Sequence, residues 1–350
     1  MSPARSRDDS LAQEGATGWG GGPAAATAGS SYRVEIVEPA AFAEPASRIL
    51  QDAFQPPCLR YTPDYLRWLF RFPNGLESIG VAAFDGAEPV GFFAVMPRWM
   101  RSGDRRLAVS LMSSLAVRPG RGGPLALALY SRLLELLREL GRPVVSYVRP
   151  GTVAERLLLW NFARAGLQAR PLGSYRTYGA LNAAGPADPP ARVEEGDEDA
   201  FLEVVRSCRD ERMLWRDPDR DQLRHYGADP RGCVLAVIRD ASGGLIGAAT
   251  VVLARVVLPQ GDELIPMINS VHLPRPTAEA LQALIQFARR RWDGQATAPV
   301  VTAPNLIGID PAVLRAAGLR ATPSAFQGYV FDPIADSLPA ALMGTNLEVV

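Results

Sequence analysis

The sequence predicts an α/β (α+β) protein made of two similar domains, each a mixed, largely antiparallel sheet flanked by helices. Three observations predict it. In Leu115–Ala126, LAVRPGRGGPLA, an apolar strand passes through a basic glycine turn into an amphipathic helix. Short alternating runs joined by hairpin signals lie before that turn. The same order of elements then returns at a spacing of about 150 residues, the mark of an internal repeat.

The first copy reads in order. Tyr32–Pro39 alternates like a strand. Pro45–Phe54 and Pro63–Phe72 read as helices, with Thr62 as the N-cap of the second. Ser78–Phe84 and Pro89–Val95 form a hairpin across Asp85-Gly86, and Val109–Val117 is a long buried strand. Leu125–Leu140, LALALYSRLLELLREL, is an amphipathic helix. A strand at Pro143–Val148, a helix at Ala154–Ala165 capped by Gly166 and a strand at Pro171–Leu181 complete the copy.

The second copy follows the same plan. Ala191–Glu194 is its first strand, and Glu198–Arg209 and Asp219–His225 are its two helices. Val234–Arg239 and Leu245–Leu253 make a hairpin through Ser242-Gly243-Gly244. Leu264–Leu273 is the counterpart of the long strand. The helix Ala278–Trp292, strand Pro299–Ala303, helix Ala312–Ala317 and strand Phe326–Phe331 complete it. Gly318-Leu319 repeats the Gly166-Leu167 ending.

Boundaries follow from composition. Residues 1–31 are rich in Gly, Ala and Ser without apolar period, which predicts a disordered tail. The first domain spans 32–182, a linker 183–190 (within NAAGPADPP), and the second domain 191–333. Residues 334–350 are a weakly patterned tail, either disordered or a short docked helix.

The turn before Leu125–Leu140 reads as an anion site. Glycines let the backbone approach a ligand closely, and the unpaired N–H groups of a helix's first turn point at it. The pattern resembles the pyrophosphate loop of the GCN5-related N-acetyltransferases (GNAT), roughly V-x-P-x-x-R-G-x-G-x-G/A. Val117, Pro119, Arg121, Gly122 and Ala126 match it. One residue is missing between Pro119 and Arg121, and Pro124 stands where the family has a glycine. Proline lacks the amide hydrogen but is a common first helical residue. The element order of residues 32–182 and the Ala165-Gly166-Leu167 ending resemble the same family. The resemblance implies acetyl-CoA as acyl donor, held around Leu115, Val117, Arg121, Gly122, Gly123, Leu125 and Ala126. In the second copy the loop is Leu273-Pro274-Arg275-Pro276-Thr277, without glycine, which reads as a lost cofactor site.

Catalytic residues are not assigned. The family often uses a carboxylate near the long strand as base and a tyrosine four residues before the last-helix glycine as acid. Here Phe162 holds the tyrosine position, and Leu314 holds it in the second copy. Ser110–Val117 carries Ser110, Ser113 and Ser114 but no carboxylate. Asn161 neighbours Phe162, and Tyr61, Tyr147 and Tyr178 are substitute acids or packed aromatics.

Other signals are weaker. His225 and His272 are the only histidines; His272 ends the second long strand and reads as a cleft residue or a structural one. Without Cys-x-x-Cys or His-x-x-x-His spacing, no metal site is expected. Asp217, Asp219 and Asp221 read as a solvated turn, and Glu194–Asp199 as a solvated helix start.

Composition bounds the partners. With 47% hydrophobic and 21% charged residues the chain can bury substantial cores. A net charge of zero argues against nucleic acid, and no run has transmembrane length. No signal-peptide core is present, and Cys58, Cys208 and Cys233 are odd in number and scattered, so reduced thiols and a cytoplasmic location are expected. Every basic residue other than histidine is arginine, and with abundant Ala, Gly and Pro this suggests a GC-rich bacterial genome. Two functions stay open. One is an N-acetyltransferase acting on an amine of a small molecule or peptide. The other is a non-catalytic acetyltransferase-like protein that binds a ligand or partner. Acceptor and oligomeric state are not fixed by the sequence.

Overall fold

The structure is a computed structural model. It describes residues 32–73, 75–181, 190–210, 212–298, 300–303, 306, 308–332, 338 and 344–345. The predicted N-terminal tail, nearly all of the linker and most of the C-terminal tail lie outside them.

In the first half the elements are β1 (Arg33–Val37), α1 (Ala43–Ala53), β2 (Cys58–Leu59), α2 (Pro63–Phe70), β3 (Ile79–Asp85), β4 (Glu88–Ser102), β5 (Arg105–Val117), α3 (Pro124–Leu140), β6 (Val144–Val148), α4 (Val153–Arg164) and β7 (Ala169–Leu181). The second half repeats them as β8 (Arg192–Glu195), α5 (Glu198–Ser207), β9 (Met213–Arg216), α6 (Arg220–Gly227), β10 (Val234–Arg239), β11 (Leu245–Leu258), β12 (Gly261–His272), α7 (Ala278–Arg291), β13 (Val300–Ala303), α8 (Pro311–Ala316) and β14 (Arg320–Phe331). A short β15 (Gly344–Thr345) pairs parallel with β9.

Local chemistry explains the ends. The Thr62 hydroxyl caps α2 by accepting the Tyr65 amide at 3.2 Å. Gly166 (φ 77°) and Gly318 (φ 85°) stop α4 and α8 identically. In each, the following leucine amide reaches five residues back, Leu167 to Phe162 at 2.9 Å and Leu319 to Leu314 at 3.0 Å. The long strands exceed the expected lengths. β4 and β5 continue outward to a turn at Gly103-Asp104, and β11 and β12 to one before Gly261.

The sheet order is β1-β3-β4-β5-β6-β14-β7-β13-β12-β11-β10-β8, twelve strands in one path. It is palindromic in the repeat, because the halves exchange their last strands. β14 of the second half pairs with β6, and β7 of the first half pairs with β13. The two exchanged strands then pair with each other. The joins between α1 and α2 and between α5 and α6 follow the same symmetry. β2 pairs with β11 and β9 with β4, so each half clasps the other's long hairpin.

Packing follows the same division. α3 and α4 cover one core of the first half, and it contains Phe331 of the exchanged strand. α7 and α8 cover the equivalent core of the second half, which contains Ala180 of β7. α1, α2, α5 and α6 share a third core. There the Trp68 indole donates to the His225 carbonyl, and His225 Nε2 lies 2.8 Å from the Trp68 carbonyl. The two rings stack at 5.0 Å. Asp229 and Arg231 form an ion pair beneath Tyr65 and Trp68.

Candidate functional site: a strand wedge beneath a glycine turn

β5 and β6 run parallel for two paired positions, Ser110 with Val144 and Leu111 with Val145. Both strands continue without further pairing and open a wedge. The cause is a bulge in β5. Ala94 of β4 faces Ser113 and Phe92 faces Ala116, so Ser114 and Leu115 together oppose one residue. Ser114 has φ 63°, an arrangement that costs an L-residue about 1–2 kcal/mol. The Ser113 and Ser114 hydroxyls lie 3.0 Å apart.

The glycine turn sits at the mouth of this wedge. Gly120 has φ 80° and Gly123 has φ 38° with ψ −91°, backbone that glycine adopts readily. Gly123 is the N-cap of α3 and brings no capping side chain. The Arg118 amide is bonded to Val90, the Arg121 amide to Arg118, and the Leu125 amide to the Gly122 carbonyl. The amides of Gly122, Gly123 and Ala126 have no protein acceptor among the described residues. Three backbone donors at a helix N-terminus can hold an oxyanion. Pro124 at the first helical position removes one donor and leaves the helix intact.

The other predicted residues divide by role. Leu125 and Ala126 are buried against β4 and β5, as is Val117, and Leu115 packs at the edge of the same core. They shape the cradle from beneath. Arg121 is held by Tyr32 and by Asp85 at 2.7 Å. Arg118 is paired with Asp52 and Glu88. Both arginines therefore reach the turn already carrying carboxylate partners.

The equivalent place in the second half differs at the helix start. β12 and β13 also splay after one parallel pair, Met267 with Thr302, and β12 bulges at Asn269. The Thr277 side chain, however, caps α7 by accepting the Ala280 amide at 3.2 Å. Pro274 and Pro276 have no amide hydrogens to offer.

The structure scatters the candidate acids. Phe162 is fully buried and stacks on Phe331 at 3.6 Å between ring centroids, so it is a core residue. Leu314 is buried in the second core. Asn161 is buried and bonds the Leu157 carbonyl within its own helix. Tyr61 packs among Phe54 and Tyr65. Tyr178 packs on the second half's core. Tyr147 alone lies on an arm of the wedge, with its ring across Gly328 of β14; a Cβ there would meet it at 2.5 Å. Its neighbour Tyr329 donates to Glu155 at 2.6 Å, and burial together with that carboxylate pushes its phenol up to about 12.

His272 is 2% exposed, beneath Phe201 and Trp215. Burial first, then the nearby Arg216 charge, lowers its pKa to about 3, so it is neutral at pH 7. Asp217 is buried between Arg101 and Arg106, which corrects the expectation of a solvated turn; Asp219 caps α6 as a helix start should. No sequence signal marks the Ser114 bulge or the strand exchange. Asp217 was visible only as one of three alternating acids. Among the described residues no cluster of His, Cys, Asp or Glu could hold a metal, and none of the three cysteines is in a disulfide.

No family model and no curated protein matches the sequence. Solved structures do resemble it. A tandem GNAT protein from the clavulanic acid biosynthesis pathway is 14% identical over 87% of this chain and 100% of its own, with a TM-score of 0.57. The chain has the tandem GNAT fold. Saccharomyces cerevisiae N-myristoyltransferase with bound myristoyl-CoA is 13% identical over 87% of this chain and 83% of that one, with a TM-score of 0.60. A GCN5-related N-acetyltransferase from Sphaerobacter thermophilus is 17% identical over 89% and 98%, with a TM-score of 0.53. Similarity at this identity speaks for the GNAT fold alone and leaves the chemistry to the site itself.

Proposed function

We propose that the protein is an acyl-CoA-dependent N-acyltransferase that binds one acetyl-CoA per chain, in the first half. The observation that carries this reading is the contrast between the two helix N-termini. α3 presents unpaired amides after a glycine turn, whereas α7 is capped by its own threonine. A structural neighbour holds an acyl-CoA, myristoyl-CoA, which supports a thioester as the ligand class.

In this reading Gly122, Gly123 and Ala126 amides hold the pyrophosphate, and Leu115, Val117 and Leu125 fix the backbone that presents them. The unpaired edges of β5 and β6 take the acyl-bearing arm between them. An amine of a small molecule or peptide attacks the thioester carbonyl. No carboxylate on β5 serves as base, and Phe162 has no proton to give. The departing thiol has a pKa near 8.5, so thiolate loss at neutral pH is only slightly uphill. Placement of the reactants then supplies most of the rate. Tyr147 is the phenol best placed to return a proton.

Calorimetry of the full chain with acetyl-CoA tests the binding, with one equivalent expected. Two equivalents, or none, would overturn the assignment. Release of free CoA thiol in the presence of amines tests transfer. The buried Phe162 favours a second reading, in which the chain binds acyl-CoA without transferring it. Saturable binding with no thiol release over any amine panel would select that reading.

No helix among the described residues is long and apolar enough to cross a membrane. A cytoplasmic, bacterial setting remains part of this proposal and rests on composition alone.

A further inference from the structure

Below the wedge the strands close on themselves. β5 pairs with β6, β6 with β14 and β14 with β7. On its other side β5 pairs with β4, the outer part of β4 with β9, and β9 with β15. β15 lies against β7, which brings the two arms together. Seven strands drawn from both halves thus encircle one interior.

Strand alternation decides what fills it. Met100, Leu111, Val145, Leu214 and Val330 are buried there in one apolar cluster. Leu338 joins the same cluster from the C-terminal segment and is only 4% exposed. Leu111 and Val145 form the last parallel pair of β5 and β6, so their side chains are the layer directly under the open wedge. Tyr147 follows Val145 on the same face of β6, on the splayed side of that pair, and packs against the cluster. Its ring occupies the space over Gly328, which also faces Leu172.

We propose that Leu338 sets the length of acyl chain the protein accepts, by filling the interior onto which the wedge opens. The inference rests on the reading of the wedge as the acyl-CoA site. An acyl group carried between β5 and β6 meets Leu111, Val145 and Tyr147 first. An acetyl methyl ends above that layer, whereas each further methylene must enter the cluster. Leu338 belongs to none of the strands that hold the wedge, so its side chain can be shortened without altering them. Where room exists, burial of a methylene is worth about 4-fold in affinity. A filled interior returns strain instead. Butyryl-CoA, with two methylenes more than acetyl-CoA, is therefore the donor that Leu338 excludes.

Calorimetry on the full chain tests this with CoA, acetyl-CoA and butyryl-CoA as separate probes. The wild-type chain should bind butyryl-CoA about 10-fold more weakly than acetyl-CoA. Leu338→Ala should remove that difference. Leu338→Val takes away one methylene, spares more of the packing, and should narrow the difference to about 3-fold. Leu338→Met, of similar volume, should keep it. CoA itself carries no acyl group, so every variant should bind it as the wild type does. Butyryl-CoA bound as tightly as acetyl-CoA by the wild type would overturn the role of Leu338 alone. So would a ratio unchanged in both smaller variants while CoA still binds. A loss of CoA binding in those variants would show Leu338 supporting the wedge as a whole and would overturn it too. No binding of CoA by the wild-type chain would overturn the acyl-CoA reading, and this inference with it.

Discussion

The strand exchange makes a prediction that no independent arrangement of the halves shares. Phe331 lies at the end of the second half's last strand, yet it is fully buried in the first half's core. Its ring stacks on Phe162 of α4 at 3.6 Å. Phe331→Ala removes that ring and leaves a cavity under α4. Burial of this completeness places the cost at about 3–5 kcal/mol, a large share of the roughly 5–15 kcal/mol that holds a domain folded. Urea unfolding measures the total. Hydrogen exchange measures where it falls, and protection should be lost in β6 and α4, about 170–190 residues away in sequence but paired with Phe331 or packed on it. The reasoning fails if the loss is below about 1 kcal/mol, or if exchange rises only in α7, α8 and β13. The same exchange predicts that residues 1–181 made alone do not fold, because β6 would lack its β14 neighbour.

Three further outcomes are expected. Phe162→Tyr should lower stability by about 1–3 kcal/mol, measured by urea unfolding, because a hydroxyl must enter a closed core; unchanged stability with a rise in kcat would show that the side chain reaches the wedge. Gly123→Ala forces φ 38° on an L-residue and should weaken acetyl-CoA binding in calorimetry, at a conformational cost of about 1–3 kcal/mol, while Pro276→Ala in the second half should leave it unchanged. His272 has a folded pKa near 3, below its unfolded value of about 6.5. The unfolded chain therefore binds the extra proton, so stability is fully present above about pH 6.5 and falls as pH drops toward 3. His272→Phe should flatten that part of a pH series of unfolding midpoints, and an unaltered slope would show that other groups set it.

Much of the fold was legible before the structure. Each predicted strand and helix in both halves is present, with ends within a few residues except at the long hairpins and at the start of β14, which begins at Arg320 rather than Phe326. The outer parts of β4, β5, β11 and β12 were missed because tertiary pairing extends them: β4 and β11 also pair with β9 and β2, and Pro97 and Arg98, which break the alternation, are held extended against β5. The repeat itself was visible through its paired Gly-Leu endings. The glycine turn between β5 and α3 was legible, whereas the ion pair of Arg121 with Asp85, remote in sequence, was not.

By itself the sequence determined the local order, because apolar period, caps and turn residues act over a few neighbours. It determined that one copy keeps a glycine turn and the other does not. The tertiary structure decided which strand lies beside which. A strand's apolar face fits either half's core equally well, so nothing in Arg320–Phe331 states that it joins β6. That choice follows from pairing and burial summed over the whole sheet. The fate of Phe162 and Asp217 was settled at the same level, by partners that are remote in sequence: Phe331 for one, Arg101 and Arg106 for the other.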